Sequence, residues 1–120
     1  MELSNLLNSF AYHQEGITIT LDLSQIEEIL TSTTDQVIQL ETSIFETEKR
    51  VTDILENLKP IMNENKINEK HCLLLVESNL YNPLMMNEIS QLASEIPFTK
   101  MGMKKTESVE SLRIYLILYQ

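Results

Sequence analysis

With 120 residues, 42% apolar and 22% charged, the chain has the size and composition of one folded domain with a modest core. Its longest apolar runs, Cys72 to Val76 and Ile114 to Tyr119, are too short to span a bilayer, and Glu2, Asn5 and Asn8 interrupt any apolar secretion signal. The net charge of −9 resides in residues 1–64, where 12 acids face 3 bases, while residues 65–120 hold 6 of each. An acidic half without a basic stripe argues against nucleic acid and anionic membranes as partners.

Taken in order, residues 2–11 carry Leu3, Leu6, Leu7 and Phe10 at helical spacing. Gly16 marks a turn into an alternating run in which Ile17, Ile19 and Leu21 oppose Thr18, Thr20 and Asp22. Period two then becomes period 3.6 at Leu23, Ile26, Ile29 and Leu30, so a strand-like segment feeds a helix. Asp22 fits the N-cap of that helix, where a carboxylate accepts from free backbone N–H groups. Thr31-Ser32-Thr33-Thr34 ends it.

The next stretch supports two readings. From Leu23 to Ile61 the apolar residues fall on a heptad, with Leu30, Val37, Ile44, Val51 and Leu58 at one position and Ile26, Leu40, Ile54 and Ile61 at the other. Thr33 and Thr47 occupy seam positions in that pattern. Gln36 to Ser43 also alternates, which gives a strand near Gln36–Glu41 and a helix from about Ile44 to Leu58, stopped by Pro60.

Cys72–Val76 is a continuous apolar run bounded by polar residues and reads as a central buried strand. His71 and Cys72 then point to opposite faces and form neither a catalytic pair nor a metal site. After a turn at Asn79–Pro83, Leu84 to Ile96 reads as a helix with Met85, Ile89, Leu92, Ala93 and Ile96 inward, and Pro97 closes it. Phe98–Lys104 is a strand in which Gly102 marks a bulge or close approach. Lys100, Lys104 and Lys105 read as a charged edge strand, and Leu112–Tyr119 is the last strand. The fold class expected is α+β, a mixed sheet of about four strands packed with two to three helices.

The Ile19–Ile26 run resembles the synergy loop of FtsZ, the bacterial tubulin relative, in which an Asn-X-Asp-Phe-Ala-Asp sequence enters the nucleotide pocket of the next filament subunit and promotes GTP hydrolysis. Asp22 is kept, while Thr20 stands in place of the Asn and Gln25 in place of the second Asp. Further on, the chain is similar to the C-terminal domain of that family, whose order is loop, helix, strand, helix, strand, helix, strand, strand. Pro60, in Asn57-Leu58-Lys59-Pro60-Ile61-Met62, falls on the proline after the family's second helix. Ile67 precedes the first core strand, Glu88-Ile89 falls in the next helix, Gly102 on a strand glycine, and Leu112–Leu118 on the final strand. The resemblance divides the chain into an N-terminal helix and turn, residues 1–15, and an FtsZ C-terminal-like domain, residues 16–120. It implies that the first helix corresponds to the tail of the helix that links the family's two domains.

Departures shape the functional expectation. Ser78-Asn79 stands where the family has Gly-Gly, and Gly16 and Gly102 are the only glycines, so no Gly-rich loop, P-loop or tubulin-type glycine signature is present. No nucleotide, metal or other cofactor is therefore expected. Thr20, Asp22 and Gln25 are the filament-contact residues that the resemblance implies, with an FtsZ/tubulin-like GTPase domain or filament end as partner. Read alone, Asp22 simply caps a helix. His13 sits in a polar turn, and the lone Cys72 suits a reducing cytoplasm. Three classes follow: a non-enzymatic contact domain that caps or regulates a filament, a cytoplasmic adaptor dimerising through residues 23–61, and a small enzyme. The third lacks any convergent acid, base or nucleophile set.

Overall fold

A computed structural model describes residues 3–11, 17–67 and 70–120. Along the chain run α1 (Leu3–Asn8), β1 (Ile17–Ile19), α2 (Leu23–Thr31), β2 (Thr34–Thr42), α3 (Thr47–Glu64), β3 (His71–Asn79), α4 (Met86–Glu95), β4 (Lys100–Thr106) and β5 (Leu112–Tyr119). Gly16 and His13 lie outside the described residues. The fold is α+β, with one mixed sheet of five strands in the order β1-β4-β3-β5-β2. β3 and β4 run parallel, joined through α4, and every other pairing is antiparallel.

The apolar run of β3 follows from this placement. Flanked by β4 and β5 and covered on both faces, the strand has no side that needs to be polar. Cys72, Leu74 and Val76 face α3 and α4, in a core with Val51, Ile54, Leu58 and Leu92. Leu73 and Leu75 face α1 and α2, in a second core with Leu7, Phe10, Ile26 and Ile29. The five residues Cys72–Val76 have no exposed surface, and full burial of each aliphatic side chain is worth roughly 1.5–3 kcal/mol over leaving it in water. β5 repeats the alternation, with Ile114, Leu116 and Leu118 on one face and Tyr115, Ile117 and Tyr119 on the other.

The heptad between Leu23 and Ile61 does not form a seam. β2 interrupts it, pairing with β5 from Thr34↔Tyr119 to Thr42↔Leu112. The Ser and Thr hydroxyls explain the break: Thr31 Oγ1 bonds the Glu27 carbonyl and Ser32 Oγ the Ile29 carbonyl, closing α2 ahead of a run suited to a strand. A continuous helix over residues 23–61 is excluded by this geometry.

Two further expectations change. α3 does not stop before Pro60; it continues to Glu64 with Pro60 exposed inside it. A proline there costs about 3 kcal/mol, but Met62, one turn beyond Leu58, is buried in the core, and Ile61 and Ile67 pack there too. β4 is not an edge strand, since β1 covers it on the side away from β3. Lys100 pairs with Glu28 of α2, and Lys104 lies over the Phe10 ring, 4.7 Å from its centroid.

Gly102 is a point of close approach. A Cβ at this position would lie 2.9 Å from Leu75 Cδ2, 3.3 Å from Phe10 Cδ2 and 3.4 Å from Leu21 Cγ. The bare backbone thus lets the α1–α2 layer close onto the sheet. Gly102→Ala is expected to destabilise the fold by about 1–3 kcal/mol through overpacking, read as a lower urea midpoint. An unchanged midpoint would mean that Leu75 and Phe10 relax at no cost.

Candidate functional site

The loop that enters α2 is built as a cap. Asp22 is extended, and its Oδ1 accepts from the Gln25 N–H at 2.8 Å and from the Ser24 hydroxyl at 2.7 Å. Gln25 returns the bond, its Oε1 accepting from the Asp22 N–H at 3.0 Å. Asp22 and Gln25 are thus brought together as a reciprocal capping box. The Ser24 hydroxyl, and after it the Gln25 N–H, hold the Asp22 carboxyl below its ordinary range. That cap contributes above the ordinary aspartate range and is lost as pH falls through the lowered value. Thr20 is exposed just ahead of Asp22, Leu23 is 73% exposed just after it, and Leu21 between them is buried. The loop therefore presents Thr20, Asp22 and Leu23 outward from a rigid anchor.

A second assembly, at the C-terminal end of β3, went unread in the sequence. Arg50 of α3 has no exposed surface, and neither side chain of the pair it forms with Glu88 of α4 is more than 1% exposed. Its Nε donates to Glu88 Oε2 at 2.6 Å and its Nη2 to Glu88 Oε1 at 2.8 Å, a bidentate pair. The remaining donors reach three backbone carbonyls: Nη1 those of Asn82 (2.9 Å) and Ser111 (3.5 Å), Nη2 that of Pro83 (3.2 Å). All five guanidinium N–H groups have acceptors. Glu88 Oε1 also accepts from the Met85 N–H at 3.0 Å, which caps α4.

This pair corrects in part the face assigned to α4. Leu92 and Ile96 are buried and Ile89 packs against the core, as expected, but Met85 is 54% exposed and Ala93 is exposed, and the buried stripe also takes in Leu84 and Glu88. Glu88 takes an inward place because Arg50 meets it there. The signal was an unlike one: a cation at Arg50 and an acid at Glu88, each on the apolar stripe of its own helix.

On the other face of the sheet, neighbouring strands align four charges in one row: Glu41 opposite Arg113, Arg113 opposite Glu77, and Glu77 opposite Lys104. Arg113 donates to Glu41 Oε1 at 2.8 Å and Glu77 Oε1 at 3.2 Å, and Lys104 lies 3.3 Å from Glu77 Oε2. Hydrogen bonding to Glu41 raises the Arg113 pKa, keeping it charged. Burial first, then the Glu77 carboxylate, raises the Tyr115 hydroxyl. Alternating signs satisfy this row internally. Beside it, an open groove of about 230 Å³ is lined by Leu3, Leu6, Val37, Gln39 and Tyr115.

His71 is exposed and stacks on Tyr119 with ring centroids 5.3 Å apart, while Cys72 points into the core, so the two side chains diverge. Burial pushes the Cys72 thiol up to about 12. Among the described residues, no group of three or more His, Cys, Asp or Glu side chains is placed to hold a metal ion, and no helix is long and apolar enough to cross a membrane. No family model matches the chain, and no match to it is found among curated proteins.

Glu88→Leu is expected to cost about 3–5 kcal/mol, because it strands a buried guanidinium. The same change in an Arg50→Met background costs less than half as much, since no charge is left to strand. Urea unfolding of the four proteins measures the difference, and equal costs in both backgrounds would show that the two side chains do not interact. Native Cys72 is expected to resist a thiol-reactive dye at neutral pH and to react fully in denaturant; rapid native labelling would contradict its burial.

Proposed function

We propose that the chain is a non-enzymatic contact domain of the FtsZ/tubulin C-terminal kind. In this reading it works in the cytoplasm, where Thr20, Asp22 and Gln25 meet the GTPase domain or end of a filament and cap or regulate its assembly. One observation carries the reading. After the exposed Asp22 loop, the elements run helix, strand, helix, strand, helix, strand, strand, the order that the resemblance implies.

The chemistry of the loop favours restraint over turnover. A carboxylate can orient an attacking water, whereas a neutral amide cannot act as a base. Gln25 is moreover engaged by the Asp22 backbone. The loop offers a neighbouring nucleotide pocket one carboxylate, at Asp22, and an apolar contact at Leu23. A subunit docked this way occupies the interface while supplying a weaker hydrolytic set, so it caps the filament end. The lone thiol at Cys72 suits a reducing compartment.

The test is GTP turnover and pelleting of an FtsZ/tubulin-like GTPase with this chain titrated in. Pelleting is expected to fall at a small fraction of the filament protein's concentration. Asp22→Ala is a poor control because it removes the cap of α2. Asp22→Asn keeps a side-chain acceptor and removes the charge, so it is expected to stay folded with a small drop in Tm and to lose the filament effect. No effect of the wild type at stoichiometric excess, or an Asn variant equal to wild type, would overturn the proposal.

A further inference from the structure

Five of the exposed large apolar side chains sit at one end of the sheet: Phe45 on the loop before α3, Leu80, Tyr81 and Met85 on the loop between β3 and α4, and Met86 at the first residue of α4. The loops are fastened together. Asn82 Nδ2 donates to the Phe45 carbonyl at 2.6 Å, Ser111 Oγ to the Ile44 carbonyl, and Tyr81 Oη to Glu107 at 3.1 Å. Beneath them, Arg50 holds the carbonyls of Asn82, Pro83 and Ser111. Tyr81 is 77% exposed and Met86 76%, values that make them display positions and not core filler. A rigid base under an aromatic and two adaptable methionines is the make-up of a docking surface.

Charge decides what docks there. Glu46 and Glu48 at the start of α3, and Glu107 and Glu110 in the β4–β5 turn, are exposed around these loops, against Lys49, which is itself paired with Glu46 at 3.5 Å. Four acids against Lys49 and the half-buried Lys105 of β4 leave the rim net negative, which repels a second copy of this acidic chain and an anionic membrane alike. We infer that this loop end binds a basic amphipathic helix, whose apolar face covers Tyr81, Met85 and Met86 while its Lys or Arg side chains meet the acidic rim. The site is separate from the Thr20–Gln25 loop, because α2 and the α3–α4 pair lie on opposite faces of the sheet.

The probe is a fluorescent peptide of about 16 residues with Leu on one helical face and Lys on the other, beside a scrambled peptide of the same composition. No filament protein is present, so the outcome is independent of the preceding proposal. Anisotropy should report saturable binding of the amphipathic peptide that weakens with salt, and at least about tenfold weaker binding of the scrambled one. The double variant Tyr81→Ala/Met86→Ala should lose at least about tenfold in affinity while staying folded, with only the small drop in Tm that loss of the exposed Tyr81–Glu107 bond brings. Equal binding of the two peptides, or a variant that binds as wild type, would overturn the inference. So would sedimentation of the chain as a dimer that the double variant dissolves, which would assign the surface to a second copy.

Discussion

The guanidinium of Arg50 is the constraint on which one whole end of this molecule depends. A cation without exposed surface is tolerable only if its charge is countered and every donor is satisfied. Glu88 supplies the charge, and the carbonyls of Asn82, Pro83 and Ser111 supply the rest. Those acceptors belong to two connections, β3–α4 and β4–β5, and the donor belongs to the helix that follows β2. One side chain therefore fixes the spacing of α3 from α4 and the course of the loops above them. A hydrophobic pair of similar volume would pack there without dictating where three carbonyls go. The cost of burial is exchanged for a defined loop geometry, and that geometry is what holds Tyr81, Met85 and Met86 outward.

The sheet separates two environments with different chemistry. On the α3–α4 side, the buried pair sits within an aliphatic core. On the α1–α2 side, apolar contacts give way toward the same end to the row of Glu41, Arg113, Glu77 and Lys104. That row lets strands buried at one end carry charge at the other, each carboxylate having a cation across the strand. Neither assembly leaves a buried acid or base unpartnered: among the described residues, every buried side-chain nitrogen and oxygen has a hydrogen-bond partner. The exposed surfaces are where contacts with other molecules can be made.

How much of this could be read from the chain depended on the range of the interaction. Local rules placed the Asp22 cap, the strand near Gln36–Glu41, the buried run of β3 and the close approach at Gly102, because each is set by neighbours within a few residues or by a composition that only one environment tolerates. The end of α3 was misjudged because Pro60 is a local penalty, whereas the burial of Met62 is a tertiary gain. The inward place of Glu88 on α4, beside the expected Ile89, Leu92 and Ile96, was missed for a related reason. Glu88 looks like a surface residue until its partner 38 positions earlier is known, and no periodicity reports a pairing of that span. Thr20 and Asp22 are exposed, and the pattern that suggested a filament contact there also satisfies a capping box.

The functional account rests on that loop having a role beyond its cap, and hydrogen exchange addresses it directly. Amide exchange of the chain, measured alone and with an assembled FtsZ/tubulin-like filament, reads which backbone is covered. The account predicts slowed exchange across residues 20–26, with residues 80–86 unchanged. Exchange at residues 20–26 that is the same with and without filament, at concentrations where the filament is in excess, would contradict it.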